Sequence, residues 1–138
     1  MSYDNPWTHN GELVDSEILD NYLGFVYLIT NLSNQRMYLG KKLLKRTKTK
    51  QVKGKKKRTQ VESDWKDYYG SNKELVEEIK TSSIYNYKRE ILRLCKTKGE
   101  CNYFEAKYQF EKGVLESDLW YNSWIMVKVH KAHLPKQL

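Results

Sequence analysis

Two short runs of apolar and β-branched residues predict a β-hairpin in the first third of the chain. The first run covers residues 24–30 (GFVYLIT) and the second covers residues 36–40 (RMYLG). Between them, residues 31–35 (NLSNQ) are mostly Asn, Ser and Gln, and clusters of this kind are typical of turns. We therefore predict two antiparallel strands, with the hairpin spanning about residues 24–43.

The pairing of these two strands decides where their tyrosines lie. If Thr30 pairs with Gln35, Tyr27 lies directly opposite Tyr38. Directly opposed residues share one face of a sheet, with Cβ atoms roughly 5 Å apart. This register predicts two phenol hydroxyls side by side, although tyrosine is also common in strands for packing alone.

Downstream, hydrophobic periodicity predicts two helices and two further strands. In order, these are a helix over residues 72–80, a strand over 85–94, a helix over 102–114 and an edge strand over 124–129. Ser71, followed three residues later by Glu74, has the pattern of a capping box at the start of the first helix. The order β-β-α-β-α, with extensions at both termini, predicts a small α+β sandwich.

The remaining segments show weaker patterns. Residues 1–15 have no clear periodicity and predict an irregular arm, whereas residues 16–23 predict one or two helical turns. The lysine-rich residues 41–62 have little to bury, so we expect a long flexible loop there. The predicted organisation is an arm and short helix over residues 1–23, a core over 24–122, and a strand and tail over 123–138.

Trp65, Tyr68 and Tyr69 lie between the basic loop and the first long helix. In a nucleic-acid-binding protein such aromatic rings can stack on bases. The alternative, which we favour, is that they anchor the loop to the core.

Length and composition limit the class of protein. A chain of 138 residues is long enough to bury one core without disulfides or a structural metal. It contains no apolar run near the length of a membrane span, and its acidic, polar N-terminus does not resemble a signal peptide. We therefore expect a soluble, cytoplasmic protein with no membrane partner.

The positive charge is concentrated in one segment. The chain has a formal net charge of +8, yet residues 41–58 contain eleven Lys and Arg residues and no acid. The other 120 residues carry fourteen bases and seventeen acids, so they are slightly acidic. A local cluster of this kind favours binding to phosphates, and the alternative is a solvated, disordered loop with no ligand.

The two cysteines do not predict a disulfide framework or a zinc site. Cys95 and Cys101 are separated by five residues, and His130 and His133 by two, which fits no common zinc-binding spacing. Cys95 ends an apolar run, so we interpret it as a small buried hydrophobic residue.

Five stretches together resemble the GIY-YIG nuclease superfamily, and in particular its stand-alone phage homing endonucleases. The stretches, in order, are FVY at residues 25–27, YLG at 38–40, DYYGS at 67–71, YKREIL at 87–92, and Glu105. Their order and spacing are more specific than any one of them alone. The resemblance implies the β-β-α-β-α core that the periodicity also predicts.

The resemblance covers roughly residues 24–122, with departures from the motif letters. Phe25 and Val26 stand where the motif has Gly and Ile, and Leu39 stands where it has Ile. Both tyrosines and Gly40 are kept. The resemblance implies an enzyme that cuts phosphodiester bonds with the help of Mg²⁺ or Mn²⁺. It also implies a phage-encoded protein that acts in the cytoplasm of the host cell.

By resemblance, Glu105 is the metal ligand, and a single carboxylate is adequate because Mg²⁺ keeps several waters and binds phosphate. The same resemblance makes Tyr27 a general base or water-positioning group, and makes Tyr38 a hydrogen-bonding partner of phosphate or water. A phenol is a poor base unless a nearby cation lowers its pKa, and we expect Lys42 to provide that charge. The alternatives are an ordinary surface glutamate and two tyrosines that only pack the hairpin.

The catalytic arginine and the supporting asparagine are less directly indicated. Many members of the superfamily carry an arginine on the first helix after the second tyrosine motif, but residues 72–80 contain none. We choose Arg46, eight residues beyond Tyr38, with Arg58 and Arg89 as alternatives. Asn122 resembles the asparagine that supports the site by hydrogen bonding, and its alternative role is that of a turn residue.

The sequence therefore predicts a metal-dependent DNA endonuclease with weak sequence preference, or with a preference for branched or nicked structures. Its DNA is duplex or branched, and a homodimer is compatible with the sequence. The predicted nucleic-acid-binding residues are Lys41, Lys45, Lys48, Lys53, Lys55, Lys56, Lys57 and Arg58. Two competing functions remain open: a nucleic-acid-binding protein on a degenerate nuclease core, and a ribonuclease or RNA-binding module.

Overall fold

A computed structural model describes residues 3–14, 16–126, 131 and 135. The strands are β1 (Thr8–His9), β2 (Glu12–Leu13), β3 (Gly24–Asn31), β4 (Met37–Leu43), β5 (Lys45–Val52), β6 (Lys55–Glu62) and β7 (Tyr87–Cys95). The helices are α1 (Ser16–Leu19), α2 (Lys73–Thr81) and α3 (Lys98–Glu111). These elements form an α+β fold, which confirms the predicted class.

The central sheet has five strands in the order β2-β1-β7-β3-β4. Only the β1–β7 pair is parallel, whereas β3 pairs antiparallel with both of its neighbours. Because β3 is covered on both faces, its side chains alternate between two cores. Phe25, Tyr27 and Ile29 belong to one core with Trp7 and Trp65. Val26 and Leu39, on the opposite face, pack with Phe104 of α3.

The β3–β4 hairpin forms, but its predicted register is wrong by two residues. Thr30 pairs with Met37, so that Ile29 lies opposite Tyr38 and Tyr27 lies opposite Gly40. The Asn31 amide donates to the Arg36 carbonyl at 2.8 Å, so Asn31 and Arg36 close the turn in place of Thr30 and Gln35. A shift of two residues keeps every side chain on its predicted face. The two tyrosines are therefore diagonal neighbours on one face.

The predicted irregular N-terminal arm is in fact part of the sheet. Its strand β1 runs parallel to β7, with Thr8 opposite Glu90. The arm places the Trp7 side chain, which is fully buried, in the core, where its indole nitrogen donates to the Trp65 carbonyl at 2.8 Å. The sequence showed no periodicity here because the strands are two residues long and pair with a distant segment.

The predicted flexible basic loop is instead a regular hairpin. Strands β5 and β6 pair over eight residues each, and only Lys53 and Gly54 lie between them. Both turn residues have positive φ, 52° and 76°, which is the type I′ geometry that matches the twist of a hairpin. The sequence signal for this hairpin was Gly54, at the second position of a two-residue turn between runs that contain Thr and Val.

The ends of the two long helices differ from the predicted ones. Asn72, not Ser71, caps α2, because its side-chain oxygen accepts a hydrogen bond from the Leu75 amide at 3.0 Å. Helix α3 begins four residues earlier than predicted, after Thr97, whose hydroxyl accepts from the Glu100 amide. A polar side chain three residues before a backbone donor marks both starts.

The chain after α3 returns to the edge of the sheet, and the described part of the predicted strand over 124–129 does not form one. Residues 123–126 are not in a strand, and residues 127–129 lie outside the described part of the chain, as do His130 and His133. Instead, Trp120 makes a single parallel bridge to Met37. Within residues 3–14 and 16–126, no helix is both long enough and apolar enough to cross a bilayer.

Candidate active site

A cavity of about 600 Å³ lies along the open edge of β4. Strand β4 contributes Tyr38 and Lys41 to its wall, and α3 contributes Glu105. Ser71 and Asn122 close it from the segments before α2 and after α3. Because β4 is an edge strand, side chains from both faces of the sheet meet at this cavity.

Tyr38 lines the cavity with its hydroxyl hydrogen-bonded to the Ser71 Oγ at 3.0 Å. Burial raises the pKa of Tyr38, and the bond to Ser71 partly opposes this rise. The phenol is therefore a neutral donor and acceptor at ordinary pH. Ser71 was predicted only as a helix cap, and the stretch DYYGS was the signal that placed it near the tyrosines.

Tyr27 is fully buried beneath this wall. Its ring lies 6.2 Å from the Tyr38 ring, centroid to centroid, and its hydroxyl donates to the Tyr68 hydroxyl at 3.4 Å. Burial raises the pKa of Tyr27 well above its usual value, and the neighbouring Tyr68 and Tyr38 add to the rise. The expectation that Lys42 lowers this pKa is wrong, because burial raises it and the neighbouring groups that act on it raise it further.

Glu105 faces the same cavity from the middle of α3, with its side chain 17% exposed. Burial raises the pKa of Glu105, and the adjacent Lys41 opposes the rise, with its Nζ 3.9 Å from the carboxylate. Glu105 in turn contributes to the raised pKa values of Tyr27 and Tyr38, so the three groups interact electrostatically. They were predicted to act together, and the fold brings them together.

The donors around Glu105 fit a magnesium ion bound through one carboxylate. In the described part of the chain, no three His, Cys, Asp or Glu side chains are grouped to hold a metal. Mg²⁺ usually takes only one or two carboxylates and completes its shell with water and phosphate. A partly desolvated carboxylate on a polar, open cavity meets that requirement.

Lys41 was predicted to bind nucleic acid but lies in the site itself. It is on β4, not in the basic hairpin, and its ammonium contacts both Asn102 and Glu105 on α3. Lys41 is therefore a counter-charge to the candidate metal ligand.

Lys42 points to the opposite face of β4, toward the tyrosines. Its Nζ lies 2.6 Å from the Asp64 carboxylate and 4.1 Å from the centre of the Tyr68 ring. The hydrogen bond from Lys42 lowers the pKa of Asp64, and Arg46 contributes to the same shift. Lys42, Asp64 and Arg46 thus form a charged cluster beside the buried Tyr27 and the half-buried Tyr68. Asp64 was not singled out in the sequence.

The three candidate arginines lie in very different places. Arg46 is exposed at the root of the basic hairpin, whereas Arg58 is exposed farther along β6. Arg89 is 1% exposed, and its guanidinium donates to the Tyr68 carbonyl at 2.9 Å and to the Asp4 carbonyl at 3.2 Å. Arg89 therefore joins the N-terminal arm to the core and is not available to a substrate.

Asn122 hydrogen-bonds to both backbone groups of Leu39 on β4, the strand that carries Tyr38 and Gly40. Its side chain accepts from the Leu39 amide at 3.0 Å and donates to the Leu39 carbonyl at 2.8 Å. Gln109 of α3 also donates to the Leu39 carbonyl, at 3.0 Å. These bonds replace the missing neighbour on the open edge of β4. Gln109 was missed because a single glutamine in a helix has no distinctive pattern.

The other predicted nucleic-acid-binding residues all lie on the basic hairpin or its turn. They are Lys45, Lys48, Lys53, Lys55, Lys56, Lys57 and Arg58, and all except the half-exposed Lys45 are exposed. By contrast, Trp65 is buried in the core, and Tyr68 and Tyr69 pack against it. The anchoring interpretation of these three aromatics is therefore correct.

Comparison with known protein families gives one match across most of the chain. The family model described as "Putative endonuclease segE, GIY-YIG domain" matches residues 7–125. This range includes β1, both tyrosines, the basic hairpin, Glu105 and Asn122. Searches of curated proteins and of solved structures each found no significant match.

Proposed function

This chain belongs to the GIY-YIG endonuclease domain family, and from that premise we propose that it is a metal-dependent endonuclease that cuts DNA. The observation that carries the proposal is the meeting of Tyr38 and Glu105 at one open cavity. Tyr27 packs against Tyr38 beneath the wall of this cavity. Family membership makes a nucleic acid the substrate. The choice of DNA and of a divalent metal is our own proposal.

Glu105 would hold Mg²⁺ or Mn²⁺ in this proposal. A bound divalent ion stabilises negative charge on the reacting phosphate and lowers the pKa of bound water. The cavity is open to solvent and lined by hydroxyl and amide groups, so a phosphate can enter it. Before the metal and the phosphate bind, Lys41 neutralises the charge of Glu105. When a phosphate enters, the Lys41 ammonium can move to one of its oxygens.

The tyrosines position groups in this proposal and do not act as phenolates. Because burial keeps Tyr27 and Tyr38 protonated, each can donate one hydrogen bond and accept others. Tyr38 reaches the cavity directly, and its bond to Ser71 fixes its direction. Tyr27 is buried beneath Tyr38, and in this proposal it holds Tyr38 and β4 in position by packing against them. Lys42 and Arg46 add positive charge on the same side.

The decisive experiment compares plasmid cleavage by Glu105→Gln with cleavage by Glu111→Gln. Both residues lie on α3, but Glu111 is exposed at its last turn. With Mg²⁺ and supercoiled DNA, wild type and Glu111→Gln should nick or linearise the plasmid. Glu105→Gln should be at least 100-fold slower, which corresponds to an increase of about 2.7 kcal/mol in activation free energy. Activity that survives in EDTA, or equal activity of the two variants, would contradict the proposal.

A non-catalytic DNA-binding function is the second candidate. Two observations favour it: α2 contains no arginine, and Arg46 lies at the hairpin root and not among the residues lining the cavity. If wild type binds DNA but never cleaves it with either Mg²⁺ or Mn²⁺, this second function is the correct one.

A further inference from the structure

The β5–β6 hairpin is exposed along almost its whole length. We call it the basic ribbon, comprising Lys45–Val52 and Lys55–Glu62. A strand of eight residues extends about 26 Å, and an isolated two-stranded hairpin is marginally stable in water. The ribbon pairs with no other strand of the described chain. Its conformation therefore depends on its own hydrogen bonds and on whatever it binds.

The two faces of the ribbon differ in charge. Directly opposed residues share a face, so the pairing of β5 with β6 separates the side chains into two sets. One face carries five cations and no acid: Arg46, Lys48, Lys50, Lys55 and Lys57. The other face carries three cations and one acid: Lys45, Lys56, Arg58 and Glu62. We call the first of these the five-cation face.

Lys50 and Lys57 are directly opposed on the five-cation face. Like charges in this arrangement destabilise a hairpin. Thr and Gln occupy several positions on the other face, so the strands could accommodate neutral residues. A concentration of uncompensated charge on one face is expected where that face meets a polyanion.

The five-cation face begins beside Asp64 and Lys42, on the side of β4 that faces the tyrosines. Its first residue, Arg46, acts on Asp64, which pairs with Lys42 beside the Tyr27–Tyr68 pair. At the root of the other face, Glu62 accepts a hydrogen bond from the Trp65 indole at 2.9 Å and pairs with Lys66 at 3.6 Å. An acid thus stands at the root of the other face, whereas the five-cation face carries none.

We infer that the basic ribbon docks in the major groove of duplex DNA with its five-cation face against the bordering phosphates. The inference rests on the proposed function for the choice of DNA. The major groove of B-form DNA is wide enough for a two-stranded ribbon, whereas that of A-form RNA is deep and narrow. Docking in this way brings the duplex to the cavity beside β4.

Two double variants with equal loss of charge test this inference. Lys50→Thr with Lys57→Thr removes two cations from the five-cation face, and Lys56→Thr with Arg58→Thr removes two from the other face. Threonine favours strands, so both variants keep the hairpin. Binding of the full-length chain to a DNA duplex is measured in EDTA over a range of salt concentrations, so no cleavage is required.

The slope of log affinity against log salt is negative. We expect the first variant to make it shallower by about 1.8, since each phosphate contact contributes about 0.9. Its loss of affinity between 50 and 200 mM salt then shrinks roughly 12-fold relative to wild type. The second variant should change the slope by less than half as much. Removal of the Lys50–Lys57 repulsion should also leave the melting temperature unchanged or higher, which excludes misfolding as the cause.

Three results would overturn the inference: equal slope changes in the two variants, no change in either, or equal competition by duplex RNA and duplex DNA. These outcomes are independent of the cleavage test. A chain that binds as expected but never cuts would refute the proposed endonuclease and keep the ribbon assignment. A chain that cuts DNA but shows equal slope changes in the two double variants would support the proposed endonuclease and refute the ribbon assignment.

Discussion

The hydroxyl of Tyr27 lies over Gly40, its cross-strand partner, so closely that a Cβ at position 40 would come within 2.6 Å of the phenol oxygen. The same Cβ would lie 2.9 Å from a Tyr27 ring carbon and 3.1 Å from a Tyr38 ring carbon. The two tyrosines and the glycine of the motif therefore form one packing unit. The glycine is required by space and not by backbone conformation.

We predict that Gly40→Ala lowers the free energy of unfolding by about 1–3 kcal/mol, because an added methyl group in a close-packed interior forces its neighbours to move. Urea unfolding measures this loss. Adding Tyr27→Phe removes the closest contact and should recover part of the stability, whereas the ring carbon contact remains. Wild-type stability in Gly40→Ala would show that the packing unit is loose.

Alkaline pH should destabilise the protein through its buried tyrosines. Burial raises the pKa of Tyr27 well above 10 and raises that of Tyr121 to about 12. Between the unfolded pKa and these raised values, the folded chain binds more protons than the unfolded chain. Stability is therefore full below about pH 10 and is lost as pH rises beyond it.

The Tyr27→Phe variant should show a shallower loss of stability above about pH 10 than wild type. Urea unfolding at several alkaline pH values measures the slope. Tyr85→Phe is the matched control, because Tyr85 is 64% exposed. A Tyr27→Phe slope identical to that of wild type would mean that the Tyr27 hydroxyl is not desolvated.

Asn122→Ala should cost about 2 kcal/mol of stability, since it removes both hydrogen bonds to Leu39 and leaves the Leu39 amide without its partner. Asn122→Asp keeps the acceptor but loses the donor and sets a carboxylate against the Leu39 carbonyl. The aspartate variant should therefore be more stable in acid, where the protonated carboxyl can donate, than at neutral pH. Urea unfolding at both pH values measures this difference. If Asn122 were only a turn residue, the stabilities of the alanine and aspartate variants would change with pH in the same way.

Arg89→Lys should reduce the free energy of unfolding by roughly 3 kcal/mol, because an ammonium cannot reach all the carbonyls that the guanidinium fork serves. Arg58→Lys, on the exposed ribbon, should leave stability unchanged. At a temperature where Arg89→Lys is folded, its cleavage rate per molecule should equal that of wild type. A large loss of rate in the folded variant would make Arg89 catalytic after all.

The core elements could be predicted from sequence because each one has its own periodicity. The apolar run of β3 and the helical periodicity of α2 are local, so neither depends on distant residues. The diagonal relation of Tyr27 and Tyr38 could not be derived, because the polar cluster does not show which two residues close the hairpin turn. Their shared face could be derived, since any even shift in register preserves it.

Other features depend on distant or charge-based interactions. Trp7 is an isolated apolar residue, and its burial requires the parallel pairing of Thr8 with Glu90, far away in the chain. The basic ribbon has almost no apolar alternation, so only Lys53 and Gly54 signalled its turn. Within the site, Glu105 was identified by its place in the motif order. Its partner Lys41 and the hydrogen bonds to Leu39 became visible only when β4 and α3 were packed together.

The basic ribbon leaves the core and returns to it at nearly the same point. The Leu44 amide donates to the Leu23 carbonyl at 2.7 Å, and the Ser63 amide donates to the Leu44 carbonyl at 2.8 Å. These bonds close the chain beneath the ribbon, so both of its ends are fixed to the core independently of the residues between them. We therefore expect that shortening or replacing the ribbon would leave Tyr38 and Glu105 in place at the cavity.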